Sequence, residues 1–91
     1  MHFPRTVFLG SPSEAIYILE AIQHLKWPVA GVYTSADLPA GRGKKILKSP
    51  VKEYAEKMQL PVFSPSDMTS PSTIEQLKKL EPEVIVLAAY G

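Results

Sequence analysis

Hydrophobic residues along this chain fall into two alternating rhythms. Thr6-Val7-Phe8-Leu9 is a short continuous apolar run closed by Gly10, the pattern of a strand buried on both faces. Apolar positions then recur three and four apart at Ala15, Ile18, Leu19 and Ile22, which predicts a helix. Ser11 is expected to cap it, with Pro12 at the first helical position and Glu14 closing a capping box. Val29 to Tyr33, opened by Pro28, reads as a second strand. Residues 35–48 have no hydrophobic period and read as a loop.

The same alternation continues to the end of the chain. Ser49-Pro50 opens a second helix with Val51, Tyr54, Ala55 and Met58 on one face. Leu60 to Phe63 is a third strand. A third helix, started by Ser70-Pro71 or by Ser72 with Glu75, carries Ile74, Leu77 and Leu80. Val84 to Ala89 is the core of a fourth strand. The order βαβαβαβ predicts a Rossmann-like α/β fold with a parallel sheet and right-handed crossovers. With strand order 3-2-1-4, helices one and two cover one face and helix three covers part of the other. An apolar face and the edge of the fourth strand are then expected to stay bare, favouring self-association.

Composition narrows the function classes. The chain has 91 residues, enough for one small domain and no more. It contains no cysteine, which removes disulfides, zinc fingers and thiol nucleophiles and makes a reducing compartment the default. The longest apolar run, Val84 to Tyr90, is far too short to span a bilayer, and the amino-terminal residues lack the pattern of a signal or transit peptide. A cytoplasmic protein with no membrane contact is expected. No pair of side chains is spaced to hold a metal.

Charge matters through its placement rather than its sum. The net charge is only +1, yet Arg42, Lys44, Lys45, Lys48 and Lys52 cluster with no carboxylate between Asp37 and Glu53. Gly41 and Gly43 flank Arg42 and allow close backbone approach to a ligand. Phosphates attract such a cluster through counterion release, and an arginine can fork onto a phosphate or stack on a base. A mobile basic segment suits an RNA end better than a groove.

Topology supplies a second candidate site. Ligands of open α/β sheets sit beyond the carboxyl ends of the strands where strand order reverses, here between strands one and four. Gly10, Ser11 and Pro12 would face Ala89, Tyr90 and Gly91 across that crevice, with the positive end of the first helix beside them. The turn is neither G-x-G-x-x-G nor a Walker loop. Thr34-Ser35, rather than an acidic residue, ends the second strand, which argues against a dinucleotide.

Several segments together resemble one family: Phe8-Leu9-Gly10-Ser11-Pro12, Val32-Tyr33-Thr34, Pro39-Ala40-Gly41-Arg42-Gly43-Lys44-Lys45, Ser49-Pro50-Val51-Lys52, Leu60-Pro61-Val62-Phe63 and Ala88-Ala89-Tyr90-Gly91. In this order they are similar to methionyl-tRNA formyltransferases, and the resemblance runs through residues 1–91 as the N-terminal part of the formyltransferase fold. The basic glycine segment is its most specific part. The resemblance implies that Gly41, Arg42, Gly43, Lys44, Lys45 and Lys48 contact initiator methionyl-tRNA. It also implies that Gly10, Ser11, Pro12, Ala89, Tyr90 and Gly91 border the pocket for 10-formyltetrahydrofolate. The family's Asn, His and Asp triad is expected beyond Gly91, leaving no catalytic residue in this stretch, which contains no asparagine. His2 and His24 read as surface residues, Trp27 as corner packing, and Tyr90 as either core or ligand contact. Two other readings remain: a folate-dependent relative acting on glycinamide ribonucleotide, which has no need of the basic segment, and a non-catalytic RNA-binding module.

Overall fold

A computed structural model describes residues 2–40 and 45–90. Its elements run β1 (Thr6–Gly10), α1 (Ser13–His24), β2 (Val29–Tyr33), β3 (Leu38–Ala40), β4 (Lys45–Leu47), α2 (Pro50–Lys57), β5 (Val62–Phe63), α3 (Pro71–Lys79) and β6 (Val84–Ala89). β5, β2, β1 and β6 form one parallel sheet in that spatial order. Once β3 and β4 are set aside, this is the expected 3-2-1-4 arrangement. Central β1 is paired on both sides, with Phe8 opposite Val32 of β2 and Val86 of β6.

The two sheet faces are covered unequally. α1 and α2 bury Phe8, Leu19, Ile22, Val32, Val51 and Ala55 between themselves and the sheet, with Val86 and Ala88 packed against that cluster. On the opposite face Tyr33 stacks on Phe63 at 5.0 Å and donates its hydroxyl to Gln76 Oε1 of α3 at 3.1 Å. Gly31 lets α3 settle there, because a Cβ at that position would stand 2.9 Å from Leu80 Cδ1 and from Phe63 Cε2. α3 does not extend over β6, where residues alternate between half-buried and exposed. Ile85 and Leu87 are 53% and 66% exposed. Among the described residues, the bare apolar face and free strand edge anticipated from topology are both present.

Residues 35–48 differ from the expected loop. β3 and β4 pair antiparallel, Leu38 with Leu47, Pro39 with Ile46 and Ala40 with Lys45. Strands of three residues leave no legible period, and Pro39 would ordinarily argue against one. A two-stranded ribbon consists only of edges, where a missing N–H costs little. Residues 41–44, between the two strands, lie outside the described residues.

Helix starts agree with expectation in two of three places. Ser49 Oγ accepts from Lys52 N and Ser70 Oγ from Thr73 N, each with proline following the cap. α1 departs from it: Pro12 occupies the cap position and no side chain caps the helix. Ser11 lies one residue too early, and its hydroxyl turns across the sheet instead. The third strand is also shorter than expected. Leu60 N bonds Ala55 O in the turn that ends α2, and Pro61 has no N–H for a ladder.

Candidate functional site

Parallel strands β1 and β6 bring their carboxyl ends together as the topology required. Gly10 pairs with Ala89, and Ser11 N donates to Ala89 O at 2.8 Å. The glycine is needed sterically, since a Cβ there would lie 2.8 Å from Phe8 Cε2 and 2.9 Å from Ala15 Cβ, both in the packed core. Gly10, Ser11, Ala89 and Tyr90 thus lie together at the carboxyl ends of β1 and β6, whereas the cleft that Ser11 and Pro12 line is bordered by neither Ala89 nor Tyr90. Gly91 lies outside the described residues. The amino end of α1 opens beside this crevice without a side-chain cap, leaving its positive dipole end for a carbonyl oxygen or an anion.

Ser11, just past β1, contacts three further elements at this point. Its N–H reaches β6, and its carbonyl accepts from Val51 N at the start of α2 at 3.2 Å. Its hydroxyl accepts from Ser35 N at 2.9 Å and from Thr34 Oγ1 at 3.3 Å, just past the end of β2. Thr34 Oγ1 also lies 2.5 Å from Ser49 Oγ, the cap of α2. Tyr90 completes the set by donating its hydroxyl to Thr34 O at 3.1 Å, and burial raises its pKa above the usual phenol value. Thr34, Ser35 and Ser49 were not expected as site residues. The visible signal was the hydroxyl-rich Thr34-Ser35 at a strand's carboxyl end, noted only for the carboxylate it lacks.

A cleft of about 290 Å³ opens on the α2 side of this cluster, between Ser11-Pro12, Ser35-Ala36 and the Leu47–Pro50 stretch. The β3–β4 hairpin rises from its rim and is tied to α2 by charge. Lys52 Nζ donates to both carboxylate oxygens of Asp37 at 2.8 Å, in a pair with little solvent exposure. Lys48 Nζ pairs with Glu56 at 2.9 Å, and this carboxylate raises the lysine pKa. Two of the five clustered cations therefore brace the hairpin root. Lys45 belongs to β4, while Gly41, Arg42, Gly43 and Lys44 lie outside the described residues.

The remaining candidates fall elsewhere. His2 pairs with Glu83 at 2.7 Å at the opposite end of the sheet, with 73% of its side chain exposed. His24 stands exposed in the last turn of α1, and Trp27 packs against the core cluster. Among the described residues no group of three metal-binding side chains occurs, and no helix is long and apolar enough to cross a membrane.

The described residues thus form a Rossmann-like α/β domain, a parallel sheet in which the carboxyl ends of β1 and β6 meet beside the open end of α1, with the β3–β4 hairpin at the rim of the neighbouring cleft. Comparison by sequence agrees: residues 4–91 match the family described as formyl transferase, and the chain belongs to that family. Its relatives include methionyl-tRNA formyltransferases of Methylococcus capsulatus, Xylella fastidiosa and Chloroflexus aggregans, at 46%, 44% and 42% identity over 87 residues. These alignments cover 96% of this chain and 28% of each relative, so the chain spans little more than a quarter of their length.

Proposed function

We propose that this chain forms the N-terminal part of a formyltransferase domain that transfers a formyl group from 10-formyltetrahydrofolate to the amine of methionyl-tRNA for translation initiation in the cytoplasm. The observation carrying this reading is the β3–β4 hairpin at the rim of the cleft lined by Ser11 and Pro12, with Lys48 beside it, in a chain 39–46% identical to methionyl-tRNA formyltransferases. Gly41, Arg42, Gly43, Lys44, Lys45 and Lys48 are assigned to the tRNA acceptor end. Gly10, Ser11, Pro12, Ala89, Tyr90 and Gly91 are assigned to the folate side of the crevice.

The crevice fits the carbonyl-bearing end of such a co-substrate. The uncapped end of α1 offers N–H groups and a positive dipole where a carbonyl oxygen gathers charge. The attacking amine must also lose a proton to a base. Among the described residues neither histidine lies at the crevice, so this stretch supplies binding and orientation rather than proton transfer. The Ser11–Thr34–Ser49 cluster would hold the crevice and the hairpin root in fixed relation.

The test is tRNA binding by the chain and by Arg42→Ala, followed by fluorescence anisotropy over a salt series. Binding should weaken as salt rises, and the substitution should weaken it several-fold while making the salt dependence shallower by about one phosphate contact. Binding that ignores both salt and Arg42 would overturn the assignment. The exposed Ile85 and Leu87 face, continuous with the free β6 edge, supports self-association of the chain.

A further inference from the structure

The two ion pairs at the hairpin root are built differently. Lys52 Nζ holds both carboxylate oxygens of Asp37 at 2.8 Å, and the two side chains are only 17% and 26% exposed. The Lys52 N–H is fixed as well, donating to Ser49 Oγ at 3.0 Å. Lys48 Nζ makes a single contact, to Glu56 Oε1 at 2.9 Å, with both side chains 44% exposed. A two-point, partly buried pair resists exchange, because parting it strands two poorly hydrated charges. An exposed one-point pair gains little over water and is easily given up for another partner.

The charges around Lys48 explain what would compete for it. The hydrogen bond to Glu56, then the charge of that carboxylate, raises the lysine pKa, and Asp37 and Glu53 add to the effect. The ammonium therefore stays charged whichever partner it holds. Lys48 directly follows β4, whereas Glu53 and Glu56 project from α2. An ammonium has three N–H donors, so it could take a phosphate without releasing Glu56. The two anions would then crowd each other, and like charges at that range repel. A phosphate brings a driving force that a protein carboxylate lacks, since its binding releases condensed counterions.

We propose that Lys48 and Glu56 form an exchangeable latch, in which the carboxylate restrains Lys48 in the free protein and an RNA phosphate displaces it once the rest of the basic segment holds the RNA. Glu56 is then a specificity-determining residue. It penalises a ligand that reaches Lys48 alone and admits one that also occupies the hairpin. The latch presupposes the tRNA-binding reading and adds an internal competitor to it. The Asp37–Lys52 pair stays closed throughout and keeps the hairpin root in place.

A double-mutant cycle in tRNA affinity, followed by fluorescence anisotropy over a salt series, tests the latch. Glu56→Gln should tighten binding about two- to fivefold at low salt, the scale of an exposed ion pair. Its salt dependence should match that of the unmodified chain, because no phosphate contact is added. Lys48→Gln should weaken binding several-fold and make the salt dependence shallower by about one contact. In the Lys48→Gln background Glu56→Gln should change nothing, since the competitor has lost its object. Glu53→Gln, whose charge reaches Lys48 without a hydrogen bond, should tighten binding less than Glu56→Gln does. All three side chains are exposed, so the circular dichroism spectrum should not change. An equal gain from Glu56→Gln with and without Lys48 would mean plain repulsion and overturn the latch, as would wild-type binding by Lys48→Gln. Either result, with binding still salt-dependent and weakened by Arg42→Ala, leaves the tRNA reading standing. Binding insensitive to both salt and Arg42 would remove that reading and the latch with it.

Discussion

Ser11 shows how much one hydroxyl can organise when it is buried among partners. Only 6% of the residue is exposed, and it contacts β6, α2 and the end of β2 through different atoms. Ser11→Ala would leave the Ser35 N–H without its acceptor, whereas Thr34 would keep Ser49. A destabilisation of about 1–3 kcal/mol is expected, read as a lower midpoint in urea with an unchanged slope. An ordinary surface serine would give almost nothing. A serine between glycine and proline suggests a helix cap, and the hydroxyl's actual route depends on a strand end 23 residues away.

Glu83 makes a comparable tie at the other end of the sheet. Its carboxylate accepts from Arg5 N at 3.0 Å and from His2, and these bonds, the backbone one foremost, hold its pKa below the usual glutamate value. A depressed folded pKa means the contribution is present above the ordinary glutamate range and fades as pH falls through the folded value. Melting temperature should therefore drop on the acid side of pH 4.5. Glu83→Gln should flatten part of that descent, with Asp67, lowered by the Thr69 hydroxyl and N–H, contributing the same sign. An identical acid slope in wild type and variant would count against this account.

At the scale of elements, all three helices end alike. Lys26, Gln59 and Glu81 follow their helices with φ of 64°, 60° and 50°, a left-handed conformation that favours glycine. After α1 and α2 the next N–H reaches back to the last turn, from Trp27 to Ile22 O and from Leu60 to Ala55 O. Pro82 has no N–H for the same bond after α3. Gln59→Gly should relieve the left-handed strain faster than it adds chain entropy, for a net gain of about 0.5–1 kcal/mol in thermal or chemical unfolding. No gain would mean the left-handed residue is held without strain.

The elements also show what the pattern of residues could and could not reveal. Strands β1, β2 and β6 and helix α1 were legible because each is long enough to repeat its period, and two Ser-Pro starts capped as expected. The β3–β4 ribbon was hidden because three-residue strands have no period and one contains proline. The meeting of the β1 and β6 carboxyl ends was foreseeable from strand order alone. The Thr34–Ser49 contact and the apolar cleft were not, since they depend on how residues 35–49 fold back across the sheet.

For the whole molecule, the unequal covering of the sheet dominates behaviour. α1 and α2 seal one face, while β6 presents Ile85 and Leu87 to solvent beside an unpaired edge. Such a surface should bind a hydrophobic dye and associate with a second copy as concentration rises. Leu87→Lys should shift sedimentation toward monomer and reduce dye fluorescence, at little cost in stability because the side chain is already 66% exposed. Retained association in that variant would place the contact elsewhere.

Consider finally the pairing of β1 with both β2 and β6. Thr6 of the first strand lies opposite Val29 on one side and Val84 on the other, so one partner follows closely in the chain and the other only after α1, β2, α2, β5 and α3. A nascent chain leaving the ribosome can dock β1, α1 and β2, but its centre keeps an open flank until β6 has emerged. Closing so distant a contact is slow, and the waiting strand is exposed to wrong partners meanwhile. Chaperone dependence during translation should accordingly be set by the arrival of β6, more than by the hairpin or its charge.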